Sequence, residues 1–177
     1  MLTIGHGTLS APEFADLLDR AGVRSLVDIR AFPGSRRHPH MSREAMASWV
    51  PEAGVAYGWE PRLGGRRRPA SDSPNVALRN LAFRAYADHM ATDEFRAGLA
   101  EVLATAETSR TAIMCAETLW WRCHRRLVSD AAALLAGAEV LHVMHDGGLT
   151  PHVLTDGVRR SGTTLVYDVG AERPLPL

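Results

Sequence analysis

"TAIMCAETLWWRCHRRLVSDAAALLAG", Thr111 to Gly137, carries the pattern on which the reading of the whole chain turns. Thr111 to Ala116 is an apolar run of strand length, and Cys123 to Leu135 reads as a helix stopped by Gly137. A strand that feeds a helix through a short loop is the repeating half of an α/β fold. The same alternation recurs toward the N-terminus. "LTI", Leu2 to Ile4, is a strand followed by a stretch in which Phe14, Leu17, Leu18 and Ala21 recur at helical spacing, with Ser10 as N-cap and Gly22 as stop. "SLVDI", Ser25 to Ile29, is a second strand, and the loop "RAFPGSRRHPHM" after it holds prolines and a glycine that oppose a helix. Ser42 caps a helix through Glu52, and "VAYGW", Val55 to Trp59, is a third strand.

"EPRLGGRRRPASDSPN" is then a long loop within one domain, because the chain on either side is too short to form two cores. From about Ala77 to Thr105 the pattern is helical, as two helices broken near Thr92 and Asp93. "VLHVMH", Val140 to His145, and "TTLVYDV", Thr163 to Val169, bring the set to about six strands. The expected architecture is α/β: a single three-layer domain over residues 1–177, with a mostly parallel sheet of about six strands and helices on both faces.

Composition narrows the function. The chain has 177 residues, 46% of them hydrophobic and 23% charged, with a formal net charge of zero. This is the make-up of a globular protein and not of a generic polyanion or membrane binder, so binding to phosphates must come from a local patch. All 20 basic residues are arginine. The absence of lysine excludes Schiff-base catalysis and the phosphate-binding loop that needs a lysine. No apolar stretch has membrane-spanning length, and "MLTIGHGTLS" lacks the features of a signal peptide, which makes a cytoplasmic location the expectation. In that compartment the two cysteines read as free thiols.

Ligands in open parallel sheets bind beyond the carboxyl ends of the strands. Polar residues fall at those ends: His6, Asp28 with Arg30, Glu60, Cys115 with Glu117, and His145 with Asp146. At these residues the sequence resembles a known family. "TIGHGT", "LVDIRAFPGSRRHP", "LGGRRR" and "MCAETLWWRCHRRL" followed by "EVLHV" occur in the order seen in the domain of unknown function 488 family, and the resemblance covers nearly the whole chain. Gly7 and the insert "TLWWR" depart from the commoner members. The resemblance implies that Asp28, Arg30, Cys115, Glu117, Cys123, His124 and Arg125 form one functional region. It implies no reaction, since the family has none assigned.

Asp28 and Glu117, held near each other, can share general-acid and general-base work, as in hydrolysis of a glycosidic or N-glycosidic bond, with His6 as a further acid at the first strand end. They can equally be structural, pairing with Arg30 and Arg122. Arg30, Arg36 and Arg125 suit phosphate, the last at a helix start, though arginines on loops are often only solvated. Trp59, or the pair Trp120 and Trp121, can stack a nucleobase or cap the core, and at least one of the adjacent pair should be exposed.

Cys123, beside Arg122, His124 and Arg125, has surroundings that lower a thiol pKa. Cys115 to Arg122 encloses one residue too many for the cysteine-loop-arginine of thiol phosphatases. A zinc site using Cys115, Cys123 and His124, with His6 or His145, lacks a standard ligand spacing. The sequence thus points first to a hydrolase acting on a nucleotide or nucleic-acid substrate, with no cofactor and no metal. Asp28, Glu117 and His6 would be catalytic, and Arg30, Arg36, Arg125, Trp59, Cys115, Cys123 and His124 would bind substrate. A thiol-dependent transferase or redox enzyme using Cys123 or Cys115 is the alternative, and a non-catalytic nucleic-acid-binding module the third reading. The partner is a phosphate-bearing ligand, with no membrane role.

Overall fold

The structure, a computed structural model, describes residues 1–34, 37–68 and 70–171. Six strands form the central sheet: β1 (Leu2–Gly5), β2 (Ser25–Asp28), β3 (Ala56–Trp59), β4 (Thr111–Cys115), β5 (Leu141–Val143) and β6 (Leu149–Pro151). Their order is β3-β2-β4-β1-β5-β6, parallel except for β6, which runs antiparallel to β5. Central strands are apolar on both sides because both faces are covered. On one face Leu26, Ala112 and Met114 pack with Phe14, Leu17 and Leu18 of α1 (Ala11–Arg20) and Met46 and Val50 of α2 (Arg43–Glu52). On the other, Val27 and Ile113 pack with residues of α3 (Leu81–Met90), α4 (Asp93–Thr108) and α5 (Arg125–Ala136).

The helices begin and end for local reasons. Ser10 and Glu13 form a reciprocal capping box on α1. Ser42, Asn80 and Thr92 accept backbone N–H groups at the starts of α2, α3 and α4. Gly137 closes α5 in the left-handed conformation at φ 66°, where a side chain would be strained.

One strand lies elsewhere than the sequence suggested. The segment Thr163 to Val169 supplies β8 (Thr164–Tyr167), which pairs antiparallel with β7 (Val158–Ser161) as a separate hairpin. The sixth strand of the main sheet is β6, short and proline-bearing, as suits an edge. Leu165 and Tyr167 of the hairpin enter the core beside α3 and α5. A buried polar chain also holds it. Thr3 Oγ1 lies 2.7 Å from His142 Nδ1, His142 Nε2 lies 3.0 Å from His152 Nδ1, and His152 Nε2 lies 2.9 Å from Asp130 Oδ1. Tyr167 Oη donates to Asp130 Oδ2 at 2.9 Å. Trp120 stacks on His142 at 3.9 Å between centroids and 7° between planes. Among the described residues, no helix is long and apolar enough to cross a membrane.

Candidate functional site: a thiol pair under a buried arginine

The parallel register sets Gly5 beside Cys115, and Asp28 beside Met114 and Trp59, so four strand ends share one rim. The loop after β4 folds tightly onto β1. A Cβ at Gly5 would lie 1.9 Å from the Glu117 carbonyl oxygen and 2.7 Å from Arg125 Nη2, so only glycine fits. Arg125, the first residue of α5, is 1% exposed. Its Nη2 donates to the carbonyls of Glu117 and, at 3.2 Å, Thr118, which ties the loop to the helix.

The remaining face of this guanidinium meets sulfur. Arg125 Nε lies 3.1 Å from Cys115 Sγ and 3.2 Å from Cys123 Sγ, and the sulfurs lie 3.1 Å apart. Both thiols are free and buried. Burial alone would raise the Cys123 pKa. The S–H of Cys115, the Arg125 charge and hydrogen bonds from Arg125 outweigh it, and bring Cys123 down to about 6. Cys115 moves the opposite way, well above the ordinary thiol value, because of burial and because it donates to Cys123. The opposite directions favour Cys123 as the acceptor of the pair and Cys115 as its donor.

The facing wall is built on Asp28 and Arg30. Asp28 Oδ1 accepts from Arg30 N at 3.0 Å and Nε at 2.8 Å, and Oδ2 accepts from Arg30 Nη2 at 2.6 Å and Tyr57 Oη at 2.9 Å. Arg30 Nη1 donates to His6 Nε2 at 3.2 Å, and His6 Nδ1 donates to the Gly7 carbonyl at 2.9 Å. His6 is held neutral, its pKa brought down to about 4 by burial and by the Arg30 charge. His124 Nε2 donates to the Ile29 carbonyl at 3.2 Å, which leaves Nδ1 as an acceptor next to Gly65. Burial and the Arg125 charge lower the His124 pKa to about 4.

Between the walls lies a cavity of about 220 Å³, lined by Arg30, Phe32, Arg66, Glu117, His124 and both cysteines. Arg66 is the described non-glycine residue with positive φ, at 63°, a conformation that concentrates at ligand sites. Its guanidinium lies 6.0 Å from the ring centroid of Phe32, which is 72% exposed at the mouth. A larger cavity of about 450 Å³ opens at the opposite rim near Glu107, Arg110 and Glu139, and holds neither cysteine nor histidine.

The structure thus brings Arg30, Glu117, Cys115, Cys123 and His124 to one cavity with Arg125 beneath them. It sets Asp28 and His6 behind Arg30, as its supports. Glu117 is exposed while Asp28 is wholly buried, so the two carboxylates do not face a common space. Trp59 is away from the cavity: Nε1 donates to the Arg30 carbonyl at 2.9 Å and Arg43 lies 4.4 Å over its ring. Trp120 is taken by His142, whereas Trp121 is 42% exposed. Arg36 lies outside the described residues. The arginine that meets sulfur is Arg125 and not Arg122. Tyr57, one of the aromatics that lie near the arginines in sequence, donates its hydroxyl to Asp28 where a base-stacking role was open to it, and the Met41 carbonyl, which accepts from Arg30 Nη2 at 2.9 Å, completes the wall without any signal in the sequence. Among the described residues, no three histidine, cysteine or acidic side chains gather in a group that could hold a metal ion.

A parallel α/β sheet with a dithiol cavity at its carboxyl rim defines the class. The chain belongs to the family described as Domain of unknown function DUF488, which matches residues 10–132. That span holds both cysteines, Asp28, Arg30, Glu117 and Arg125, and leaves His6 and the β7–β8 hairpin outside. No curated protein and no solved structure matches the chain.

Proposed function

We propose that the protein is a thiol-dependent group-transfer enzyme in which the Cys123 thiolate attacks an anionic, phosphate-sized group held by Arg30 and Arg66, forming a bond to it as the bond to the group's oxygen bearer breaks and that bearer leaves as an alcohol after taking up a proton. The observation that carries this reading is the position of Arg125 Nε, 3.1 and 3.2 Å from the two sulfurs on the floor of the cavity. A buried cation that meets both thiols stabilises a thiolate where a buried cysteine would otherwise stay protonated. Arg30 lines the cavity with its guanidinium braced by Asp28, the Met41 carbonyl and His6, which leaves one Nη1–H to donate, and His124 Nδ1 offers an acceptor for a protonated oxygen of the substrate. Phe32 at the mouth suits a flat group attached to the anion, as in a nucleotide.

Hydrolysis by paired carboxylates has less support. Both oxygens of Asp28 are occupied by Arg30 and Tyr57, and a general base needs a free lone pair directed at its substrate. Glu117, which lines the cavity with the thiols, is the carboxylate placed to transfer a proton there.

Alkylation with a charged and a neutral reagent tests the reading. Cys123 should react with a midpoint near pH 6, and iodoacetate should outpace iodoacetamide. Arg30→Met and Arg66→Ala should abolish that preference. Reaction only at the ordinary thiol value near 9, or no preference for the anion, overturns it.

A further inference from the structure

We infer that Cys115 and Cys123 form a two-electron dithiol–disulfide couple that reduces a small hydroperoxide. The inference rests on the reading of Cys123 as a thiolate, and gives Cys115 a chemical role that group transfer alone does not need.

Three observations carry it. The sulfurs are 3.1 Å apart and both line the same cavity, so a disulfide of about 2.05 Å is formed by closing roughly 1 Å. Arg125 Nε meets both sulfurs with one N–H, so the donor passes to Cys115 when Cys123 loses its charge. That transfer favours the Cys115 thiolate at the moment when Cys123 becomes the electrophile. Third, the cysteines are 2% and 6% exposed at the bottom of a cavity of about 220 Å³. A small oxidant reaches them and the disulfide of a folded protein does not.

The steps balance. The Cys123 thiolate attacks the terminal oxygen of ROOH, the O–O bond breaks, and the released alkoxide takes a proton to give ROH. Cys123 is then a sulfenic acid. Cys115 attacks Cys123 Sγ, the S–O bond breaks, and the departing hydroxide takes the Cys115 proton as water. One dithiol and one hydroperoxide yield one disulfide, one alcohol and one water. A small dithiol restores the pair by thiol–disulfide exchange.

Hydrogen peroxide is the probe. Treated with one equivalent, the full chain should lose both thiols together and yield a Cys115–Cys123 linked peptide by mass mapping, reversed by dithiothreitol. It should consume peroxide at least about tenfold faster than free cysteine at neutral pH, in line with its thiolate fraction. Cys115→Ser should stop at a sulfenic acid on Cys123, trapped by dimedone. Wild-type protein that accumulates dimedone-reactive Cys123 without the linkage overturns the couple and leaves the nucleophile in place. The linkage is read on wild-type protein, so the result does not depend on how the variant folds. A Cys123 inert to peroxide and to iodoacetate alike overturns both readings.

Discussion

Asp28 grips Arg30 with both carboxylate oxygens, Nε at 2.8 Å and Nη2 at 2.6 Å, and the acid is wholly buried behind the base. A buried pair of this kind adds little net stability over an apolar pair, but breaking it on one side strands a charge. Here the pair fixes the cavity wall that faces the thiols.

Asp28→Asn should therefore destabilise the protein by roughly 3–5 kcal/mol, read as a fall in the urea unfolding midpoint, and Asp28→Leu with Arg30→Met should recover most of the loss. An unchanged midpoint with lost activity would instead make Asp28 a reacting group.

Gly5→Ala forces a methyl against the Glu117 carbonyl at 1.9 Å and the Arg125 guanidinium at 2.7 Å. Backbone must move, so the expected cost is about 2 kcal/mol or more, with slowed alkylation of Cys123 because Arg125 is displaced. Gly58→Ala is the control, since nothing lies within 4 Å of its Cβ. Equal behaviour of the two variants would remove the argument for close packing at the rim.

Arg125→Met should return the Cys123 pKa from about 6 toward or above 9. At pH 7 a thiol of pKa about 6 is mostly thiolate and one of pKa about 9 is about one-hundredth thiolate, so alkylation at neutral pH should fall roughly a hundredfold. Arg125→Lys keeps a charge but not the guanidinium fork, and should fall between. A rate–pH profile that Arg125→Met leaves in place would remove the arginine from the account of Cys123.

Stability should fall on mild acidification. Burial, with the charges of Arg30 at His6, of Arg125 at His124, and of His152 and Arg125 at His142, lowers these pKa values to about 4, 4 and 3 from 6.5. The unfolded chain takes up these protons below pH 6.5 and the folded chain does not. The stabilisation is whole above that value and declines as pH falls toward 4, on the order of 1.4 kcal/mol per pH unit for each histidine. Urea midpoints on either side of this window check it, and an unchanged midpoint would show that the imidazoles take up protons within the fold.

Much of this was legible because it is written locally. Caps at Ser10, Ser42 and Thr92 and the stop at Gly137 mark helix ends through groups that the backbone itself requires. The rim residues were found because apolar runs end at them. What stayed hidden depends on orientation. That Asp28 turns to Arg30 and away from the cavity, and that Arg125 points under the thiols and not at solvent, follows from how loops close over the sheet. β6 escaped notice because three residues ending in proline carry no strand pattern, whereas the longer run at Thr163 to Val169 does. The sequence sets Arg125 beside Cys115 and Cys123 as fellow substrate-binding residues, while the geometry makes Arg125 the support of the cysteines.

The place of β1 in the sheet has a consequence for biosynthesis. β1 lies between β4 and β5, opposite Ile113 and His142, so neither neighbour exists when it leaves the ribosome. Its pairings are among the most distant in the chain, and contacts of long sequence separation form late. Until then the apolar faces of β1 and α1 need shelter from other nascent chains. Gly5 can accept the Glu117 loop only once β4 has joined β1, so the two walls of the dithiol cavity meet only after Arg125 has been made. An unfinished chain therefore holds two ordinary cysteines, and the shared arginine contact arises with the completed sheet.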